Sequence, residues 1–374
     1  MNILGIYYKH KPGGFCKRLY RSYKALAEAG HKVHYISTEI LPVRHKNIVA
    51  HVMKLPFRDT DSMFFWVVFT VCAMFHACCL CRQLNIGMVF AVGSYYAFVS
   101  CLTKMLNKTT LITYIHARDT DYSLVIGRPL SLVKLQALYE HLSFSISDVI
   151  LTINSSIKKD LEHRYPHSRI EVLPNNIEVS EMSGSDFRKE IRVAAGTFLI
   201  ATSGVFTKGK NIGFLIRTFS RAQLENALLI IVGDISTRDL FEKQKLEALA
   251  ENLGIPDRVI FTGWRADGCD VIRSIDLFVL PSVSEGCPLS LLEALGLGVP
   301  CLGSRIPEIK EILHYEELLF DSKDREELSQ KLVSSKKEEK LVLWRKLCEK
   351  RRLVYTFDWD KRFIETLRHV GVAV

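Results

Sequence analysis

The sequence predicts an α/β protein of two domains, each built on a doubly wound parallel sheet. Short apolar runs of strand length alternate along the chain with longer amphipathic segments, as they do where helices connect parallel strands. With 374 residues, the chain is long enough for two domains that each have their own core. The segment 178–196 is polar and weakly patterned. We therefore place the crossing between the two domains there.

The first domain opens with a strand at 2–7, a helix at 15–30 and a second strand at 32–37. Gly13 and Gly14 lie in the loop before the helix. Because a helix N-terminus presents unsatisfied backbone N–H groups, this loop is a candidate anion site. An ordinary turn is the alternative.

The same alternation continues through the first domain. We expect helices at 95–106 and 157–164, the second capped by Ser155 or Ser156. The further strands expected here are 87–92, 110–115, 148–153 and 170–173. His116 directly follows one of these strands, and ligands bind at the carboxyl ends of strands in open α/β sheets. His116 is therefore a candidate binding residue, with a purely structural histidine as the alternative.

The segment from Met63 to Cys81 contains no Asp, Glu, Lys or Arg and is about as long as a membrane-spanning helix. A span would put the strands before and after it on opposite sides of a membrane, and one parallel sheet could not form. We therefore expect a mostly buried helix, or one that dips its edge of Phe64, Phe65 and Trp66 into a membrane interface. A transmembrane anchor is the alternative.

The formal net charge of +9 is spread unevenly. Six basic residues precede Glu28, the first acidic residue: Lys9, Lys11, Lys17, Arg18, Arg21 and Lys24. Such a surface should attract anions. Because no nucleic-acid recognition motif or arginine-rich tail accompanies it, we predict no nucleic-acid partner. An anionic membrane surface or an acidic acceptor is the expected partner, and peripheral membrane contact is our hypothesis.

The ten cysteines show no framework spacing, which predicts reduced thiols and not disulfides. His76, Cys78, Cys79 and Cys81 lie close together in an apolar segment without a second ligand cluster, so we predict no metal site. A strand begins directly after Met1, where a secretory signal would need a basic start and a longer apolar stretch. We expect a cytoplasmic protein.

The second domain is predicted to contain strands at 197–202, 227–232, 259–262, 277–280 and 300–303. Pro281 ends the fourth of these strands because proline has no N–H for the sheet. A loop follows, in which Gly286 allows close backbone approach and Pro288 suits the first position of a helix at 289–297.

An anion could bind at the start of this helix, over the amides of Leu289 and Ser290. Glu293 projects from the same face one turn later, and Glu285 lies in the loop before the helix. Two carboxylates thus flank one predicted anion site. The alternative is a pair of solvated surface glutamates.

The stretch from Ser284 to Pro300 resembles the signature of the family-4 retaining glycosyltransferases of the GT-B type. It begins Ser-Glu-Gly-Cys-Pro, contains Glu-Ala at 293–294 and ends Gly-Val-Pro. The resemblance implies two Rossmann-like domains facing a cleft. It also implies a nucleoside-diphosphate sugar as co-substrate, with no other cofactor.

The resemblance also implies roles for individual residues. Glu285 would contact the donor sugar, Glu293 would hold the ribose hydroxyls, and His116 would approach the sugar. Lys210 matches the family's diphosphate lysine, whereas Val205 stands where the family has an arginine, a cation that Lys208 could replace. The expected catalytic residues are Glu285, His116 and Lys210. The expected donor-binding residues are Gly13, Gly14, Gly204, Lys208, Lys210, Arg265, Gly286, Cys287, Leu289, Ser290 and Glu293.

We therefore expect an acceptor domain at 1–180, a nucleotide-sugar domain at 190–355 and, at 356–374, a C-terminal helix that packs back on the first domain. The expected reaction is metal-independent retaining transfer from a UDP- or GDP-sugar to a hydroxyl acceptor. The acceptor would be a glycan or glycolipid in surface polysaccharide synthesis. A nucleotide-sugar epimerase, a phosphorylase and a non-catalytic subunit that kept the fold are the alternatives.

Overall fold

A computed structural model describes residues 1–11, 14–56, 59–60, 62–118, 120, 123–124, 127–166, 168–179, 183–234 and 240–374. The chain forms two units, one of Met1–Pro174 with Asp358–Val374 and one of Asn175–Phe357. Each unit has its own parallel sheet with helices packed on it. The predicted fold class, two doubly wound α/β domains, is confirmed.

The sheet of the first unit has seven parallel strands in the order β3-β2-β1-β4-β5-β6-β7. They are β1 Asn2–Ile6, β2 Lys32–Ser37, β3 Ile48–Val52, β4 Ile86–Val92, β5 Thr110–Ile115, β6 Val149–Thr152 and β7 Arg169–Val172. The helices are α1 Gly14–Glu28, α2 Met63–Gln83, α3 Ser94–Val99, α4 Cys101–Asn107, α5 Leu130–Ile146 and α6 Ser155–Arg164. The strand order reverses between β1 and β4, which is the usual place for a ligand crevice in an open α/β sheet.

Two local predictions for the first unit were wrong. The single helix expected at 95–106 is divided into α3 and α4 at Ser100, whose hydroxyl donates to the Tyr96 carbonyl at 2.8 Å. The cap of α6 is Asn154 and not a serine, because its side-chain oxygen accepts from the Ile157 amide at 2.8 Å. Ser155 is then the first residue of the helix.

The sheet of the second unit has six parallel strands in the order β10-β9-β8-β11-β12-β13. They are β8 Phe198–Ser203, β9 Ala227–Val232, β10 Val259–Gly263, β11 Leu277–Leu280, β12 Cys301–Ser304 and β13 Leu319–Phe320. The helices are α7 Phe187–Glu190, α8 Ile212–Ala222, α9 Leu240–Asn252, α10 Gly268–Arg273, α11 Leu289–Gly296, α12 Pro307–Leu313, α13 Arg325–Ser334 and α14 Glu338–Tyr355. Short 3-10 turns lie at Lys208–Lys210, Pro256–Arg258 and Glu316–Leu318.

Helix α2 is less buried than the sequence predicted. Among the described residues it is the one helix whose length and composition would allow it to cross a membrane. Of its most apolar 18-residue stretch, 39% is buried inside the protein. Phe65 and Phe69 lie on the buried side, which packs against α4 and β4. Of the edge expected to face a membrane, Phe64 is exposed, Trp66 is half-buried and Phe65 is in the core. The helix is therefore part of a layer on the sheet with one apolar side outward.

The C-terminal helix α15, Trp359–His369, packs against α1 within the first unit. The guanidinium of Arg18 lies 4.6 Å from the centre of the Trp359 ring, and Arg21 donates to both carboxylate oxygens of Asp360 at 2.7 and 3.1 Å. Arg18 is only 4% exposed. The basic N-terminal stretch is thus not one exposed surface, because two of its arginines hold α15 in place.

All ten cysteines are free thiols in the structure.

Candidate functional site

The candidate site lies at the reversal point of the second sheet, between β8 and β11. Loops that follow two strands at such a point run in opposite directions and leave a crevice at the carboxyl ends of the strands. The loop after β8 carries Gly204 and Lys210, and the loop after β11 carries Glu285. The strand order therefore brings together two stretches that are far apart in sequence.

Lys210 and Glu285 form an ion pair at the centre of this crevice. The ammonium nitrogen of Lys210 lies 2.6 Å from Oε1 of Glu285, and the Ser282 hydroxyl donates to the same oxygen at 2.6 Å. The side chains of Lys210 and Glu285 are 22% and 10% exposed. Because water screens such a sheltered pair only weakly, its charges interact more strongly than they would on an open surface.

Hydrogen bonds fix the two loops to each other. The amide of Val283 donates to the Gly209 carbonyl at 2.8 Å, and the side-chain amide of Asn211 donates to the Pro281 carbonyl at 3.3 Å. The hydroxyl of Ser304 donates to the carbonyl of Ser282. Lys210 and Glu285 are therefore presented by a connected backbone.

Two glycines allow the close approach at this point. Gly204 has a φ of +151°, and a Cβ there would lie 3.0 Å from Cε of Lys210. A Cβ on Gly233, in the loop after β9, would lie 2.1 Å from the Gly204 carbonyl oxygen. In the same loop after β8, Val205 is 50% exposed and Lys208 is also exposed.

Helix α11 begins at the edge of the crevice. Pro288, expected at the first helical position, is instead the N-cap residue, and the first intrahelical bond runs from the Leu292 amide to the Pro288 carbonyl at 3.2 Å. The amides of Leu289 and Ser290 precede that bond, so they have no intrahelical acceptor and lie at the positive end of the helix dipole. Glu293 is half-buried one turn further along.

In the loop before α11, Gly286 and Cys287 are half-buried. The carbonyl of Cys287 accepts a hydrogen bond from the Asn175 side chain at 3.2 Å. This bond ties the loop before α11 to the first residue of the second unit.

Arg265 is engaged elsewhere. Its guanidinium donates to both oxygens of Glu190, at 2.6 and 2.8 Å, and to both oxygens of Asp267, at 2.8 Å each. These carboxylates raise the pKa of Arg265, and the guanidinium lowers the pKa of Asp267 to about 2. None of these bonds joins Arg265 to the Lys210–Glu285 pair. Its charge braces α7 against the loop before α10.

His116 lies in the first unit, directly after β5. Its ring packs against Tyr114 and Phe15, with centroid separations of 4.4 and 5.3 Å. Both ring nitrogens are buried and have no hydrogen-bond partner among the described residues. Burial, followed by the charge of Arg18, lowers the pKa of His116 to about 3. The imidazole is therefore neutral at pH 7, with one N–H to donate and one lone pair to accept.

The remaining predicted site residues, Gly13 and Gly14, were expected in the loop before α1. Gly14 is the first residue of α1, and Gly13 lies outside the described residues. Ser282 was not predicted as a site residue, because its sequence position carries no motif and its burial and its bond to Glu285 appear only in the fold. In the described part of the chain no group of three or more His, Cys, Asp or Glu side chains is placed to hold a metal ion.

Two family models match the chain, one over each half. The model described as Glycosyltransferase Family 4 matches residues 12–181, and that described as Glycosyl transferases group 1 matches residues 185–350. Among curated relatives, the N-acetyl-alpha-D-glucosaminyl L-malate synthase of Bacillus anthracis is 27% identical over 308 residues, which are 78% of this chain and 76% of that protein. The O-antigen biosynthesis glycosyltransferase WclY of Escherichia coli is 27% identical over 48% of this chain, which spans about half (51%) of its length.

Solved structures support the same fold. Sucrose-phosphate synthase from Thermosynechococcus elongatus superposes with a TM-score of 0.80 at 17% identity, covering 99% of this chain and 98% of that one. HepE of Anabaena, in complex with UDP, superposes with a TM-score of 0.78 at 16% identity, covering 99% and 100%. With both halves of the chain matched by glycosyltransferase models and both units built as Rossmann-like domains, the chain belongs to the family-4 (group 1) glycosyltransferases of the GT-B type.

Proposed function

We propose that this glycosyltransferase moves a sugar, with retention of anomeric configuration, from a UDP- or GDP-sugar to a hydroxyl acceptor. The observation that carries the proposal is the Lys210–Glu285 pair beside the N-terminus of α11, at the reversal point of the second sheet. A cation and open amides suit a diphosphate, and the carboxylate suits sugar hydroxyls. HepE, a structural neighbour, was solved with UDP and with UDP-glucose, which supports a nucleotide-sugar donor.

The leaving diphosphate gains negative charge as the glycosidic bond breaks, and donors fixed in advance stabilise that charge. Lys210 and the amides of Leu289 and Ser290 take this role, together with the loop at Gly14. We assign Lys208, which is exposed at the rim, to the place left by Val205. These groups supply the neutralisation that a metal ion supplies in other transferases, so the proposed reaction is metal-independent.

Glu285 positions the sugar and stabilises the positive charge that grows at its ring, while Glu293 binds the ribose hydroxyls. The ion pair must first open, because the ammonium of Lys210 lies on the carboxylate that the sugar would contact. The donor diphosphate draws Lys210 away and leaves Glu285 held by Ser282. Neutral His116, with both ring nitrogens lacking a described partner, holds a sugar hydroxyl or accepts its proton.

For the acceptor we propose a glycan or lipid-linked hydroxyl in surface polysaccharide synthesis. The names of relatives, including O-antigen and lipopolysaccharide core glycosyltransferases, support this class. We place the enzyme in the cytoplasm, in peripheral contact with an anionic membrane, and without a nucleic-acid partner.

A thermal-shift panel of UDP- and GDP-sugars tests the donor. A ligand at 100 times its dissociation constant stabilises the folded state by about 2.7 kcal/mol, and the matching nucleotide should raise the melting temperature clearly above the rest. The anomeric configuration of the product, read by NMR, tests retention.

Lys210→Ala tests the diphosphate contact. Loss of such an electrostatic contact costs about 3 kcal/mol in the barrier, so turnover should fall roughly a hundredfold. Lys340→Ala, at an exposed position on α14, is the matched control and should keep its turnover. Wild-type turnover of Lys210→Ala would refute the assignment.

Two alternatives give different products. An epimerase converts the nucleotide sugar without an acceptor, and a phosphorylase needs inorganic phosphate, so reactions with and without each co-substrate separate them from transfer. Val205, which leaves the phosphate loop without its usual arginine, favours a non-catalytic subunit that kept the fold. That subunit would bind the nucleoside diphosphate without transfer to any acceptor.

A further inference from the structure

We propose that helices α2, α4 and α5 of the first unit together form the surface that docks on an anionic membrane. Their outward side chains are called the apolar helical surface below. This proposal identifies the surface that makes the membrane contact proposed above. It rests on the proposed function in one respect only, namely that the membrane would hold the acceptor.

Helix α2 contributes an apolar stripe along its outer side. Phe64, Val67, Val71 and Phe75 follow one another at intervals of three or four residues and are 56%, 56%, 48% and 62% exposed. A helix on the surface of a soluble domain normally has charged or polar residues on this side. Since the opposite side of α2 already packs into the first unit, the stripe is not needed for its core.

Helices α4 and α5 extend the stripe. Helix α4 packs beside α2, and α5 contacts α4, so the three helices are neighbours in one layer. Met105 and Leu106 of α4 are 74% and 54% exposed, and Leu135, Leu138 and Leu142 of α5 lie outward at intervals of three and four residues. Single exposed hydrophobic residues are ordinary, but a set spread over three adjacent helices indicates an interaction surface.

The charges of these helices favour an anionic partner. Glu140 is the one acidic residue within α2, α4 and α5, and it is 3% exposed and hydrogen-bonded to the hydroxyl of Thr120 at 2.8 Å. Arg82, Lys104 and Lys134 are the basic residues of the same helices, and Lys104 is paired with Asp148, a neighbouring residue outside them that is 41% exposed. The three helices therefore offer the cations of Arg82 and Lys134 and exposed apolar groups, and none of their own carboxylates is exposed.

More basic residues lie at the N-terminal end of α2. The ring of Trp66 lies 4.8 Å from that of Tyr8, and the ammonium groups of Lys11 and Lys9 lie 5.0 and 6.0 Å from the centre of the same Tyr8 ring. The sequence had placed basic residues and an aromatic edge in separate segments. The fold joins them at one end of the stripe.

This combination fits a bilayer better than a second copy of the chain. A symmetric pair would bring the same cations together with no exposed carboxylate on these helices to offset them, whereas anionic headgroups neutralise the cations and the acyl region accepts Phe and Leu. The partner of the apolar helical surface is therefore a lipid bilayer and not a second copy of the chain.

Flotation of the full chain with vesicles tests the proposal. At low salt the protein should float with phosphatidylcholine–phosphatidylglycerol vesicles and much less with phosphatidylcholine alone. Phe75→Glu and Leu138→Glu should each weaken binding about tenfold or more, because they place a carboxylate in the apolar helical surface. Leu353→Glu, on α14 of the second unit and 66% exposed in the wild type, is the matched control and should float like the wild type. Unchanged melting temperatures exclude unfolding as the cause.

Three results would overturn the proposal: a wild type that stays at the bottom with anionic vesicles, equal losses for Leu353→Glu, or a lipid-free dimer that Phe75→Glu converts to a monomer. Transfer to a soluble hydroxyl acceptor, measured in parallel, keeps the proposed function separate. Phe75→Glu should retain that soluble reaction. A wild type that floats but transfers no sugar refutes the function and leaves the membrane surface standing.

Discussion

Replacing Ser282 with alanine removes one of the two groups that donate to Oε1 of Glu285. The Ser282 hydroxyl lies 2.6 Å from that oxygen, and the residue is fully buried, so solvent has no direct access to replace it. A hydrogen bond to a charged group contributes about 1.5–3 kcal/mol. If the full contribution of about 2 kcal/mol is realised once Lys210 has moved to the donor, turnover should fall roughly thirtyfold.

A double-mutant cycle shows whether Ser282 acts through Glu285. Turnover is measured for Ser282→Ala, Glu285→Gln and the double variant, with donor binding measured by calorimetry. The double variant should be no slower than Glu285→Gln alone, since the hydroxyl then has no carboxylate to position. Ser282→Thr should restore most of the turnover, because it keeps a hydroxyl. Ser304→Ala, which removes the bond to the Ser282 carbonyl, controls for a general loosening of the loop. Additive losses in the cycle would refute the positioning role.

The remaining predictions concern the phosphate loop and acid stability. Val205→Arg should tighten UDP binding about fivefold in calorimetry, since a half-exposed cation contributes about 1 kcal/mol; weaker binding would contradict this. Gly204→Ala should lower turnover by displacing Lys210 and should also lower the urea midpoint, because the φ of +151° at this position strains any residue that carries a Cβ. Burial lowers the pKa of His34 to about 4, below its unfolded value near 6.5, so the folded state disfavours its protonation. Stability should then be lost as pH falls from about 6.5 to 4, by up to about 3 kcal/mol. His34→Gln should flatten that slope in urea titrations, whereas His163→Gln, at an exposed position, should not.

The strands were predictable because their apolar runs are short and bounded by proline, glycine or polar residues. Strand β3 was missed because Ile48–Val52 is an edge strand with no fully buried residue. Helix α5 was missed for a related reason, since apolar residues occur on both its buried and its exposed sides and leave no single stripe to detect.

Which side chains face the core was harder to predict than where the helices and strands lie. Helix α2 is apolar all round, so its sequence gave no indication that Phe65 faces the core while Phe64 faces outward. Arg18 looked like a surface residue because the partner that covers it, Trp359, comes from the far end of the chain. Such contacts depend on tertiary packing that local pattern does not encode.

The site residues likewise divide into residues that motifs predicted and contacts that depend on tertiary packing. Glu285 and Lys210 were found by the motifs around them, but their contact follows from the reversal of strand order between β8 and β11, which spacing does not reveal. Arg265 was chosen by its place after β10, and the carboxylates that occupy its guanidinium come from α7 and from Asp267, before α10. Ser282 carried no charge and no motif role, and only its distance to Glu285 shows its use.

The Lys210–Glu285 ion pair gives a physical reason for a valine at position 205, where the family has an arginine. Glu285 neutralises Lys210 in the structure, so neither sheltered charge is left without a counterion, which would be costly where solvent is limited. An arginine at 205 would add a second cation that this carboxylate could not also neutralise at short range. The donor diphosphate carries more negative charge than one carboxylate and can therefore take Lys210 from Glu285. We accordingly expect donor binding to open the pair, with Ser282 keeping Glu285 in position as it does.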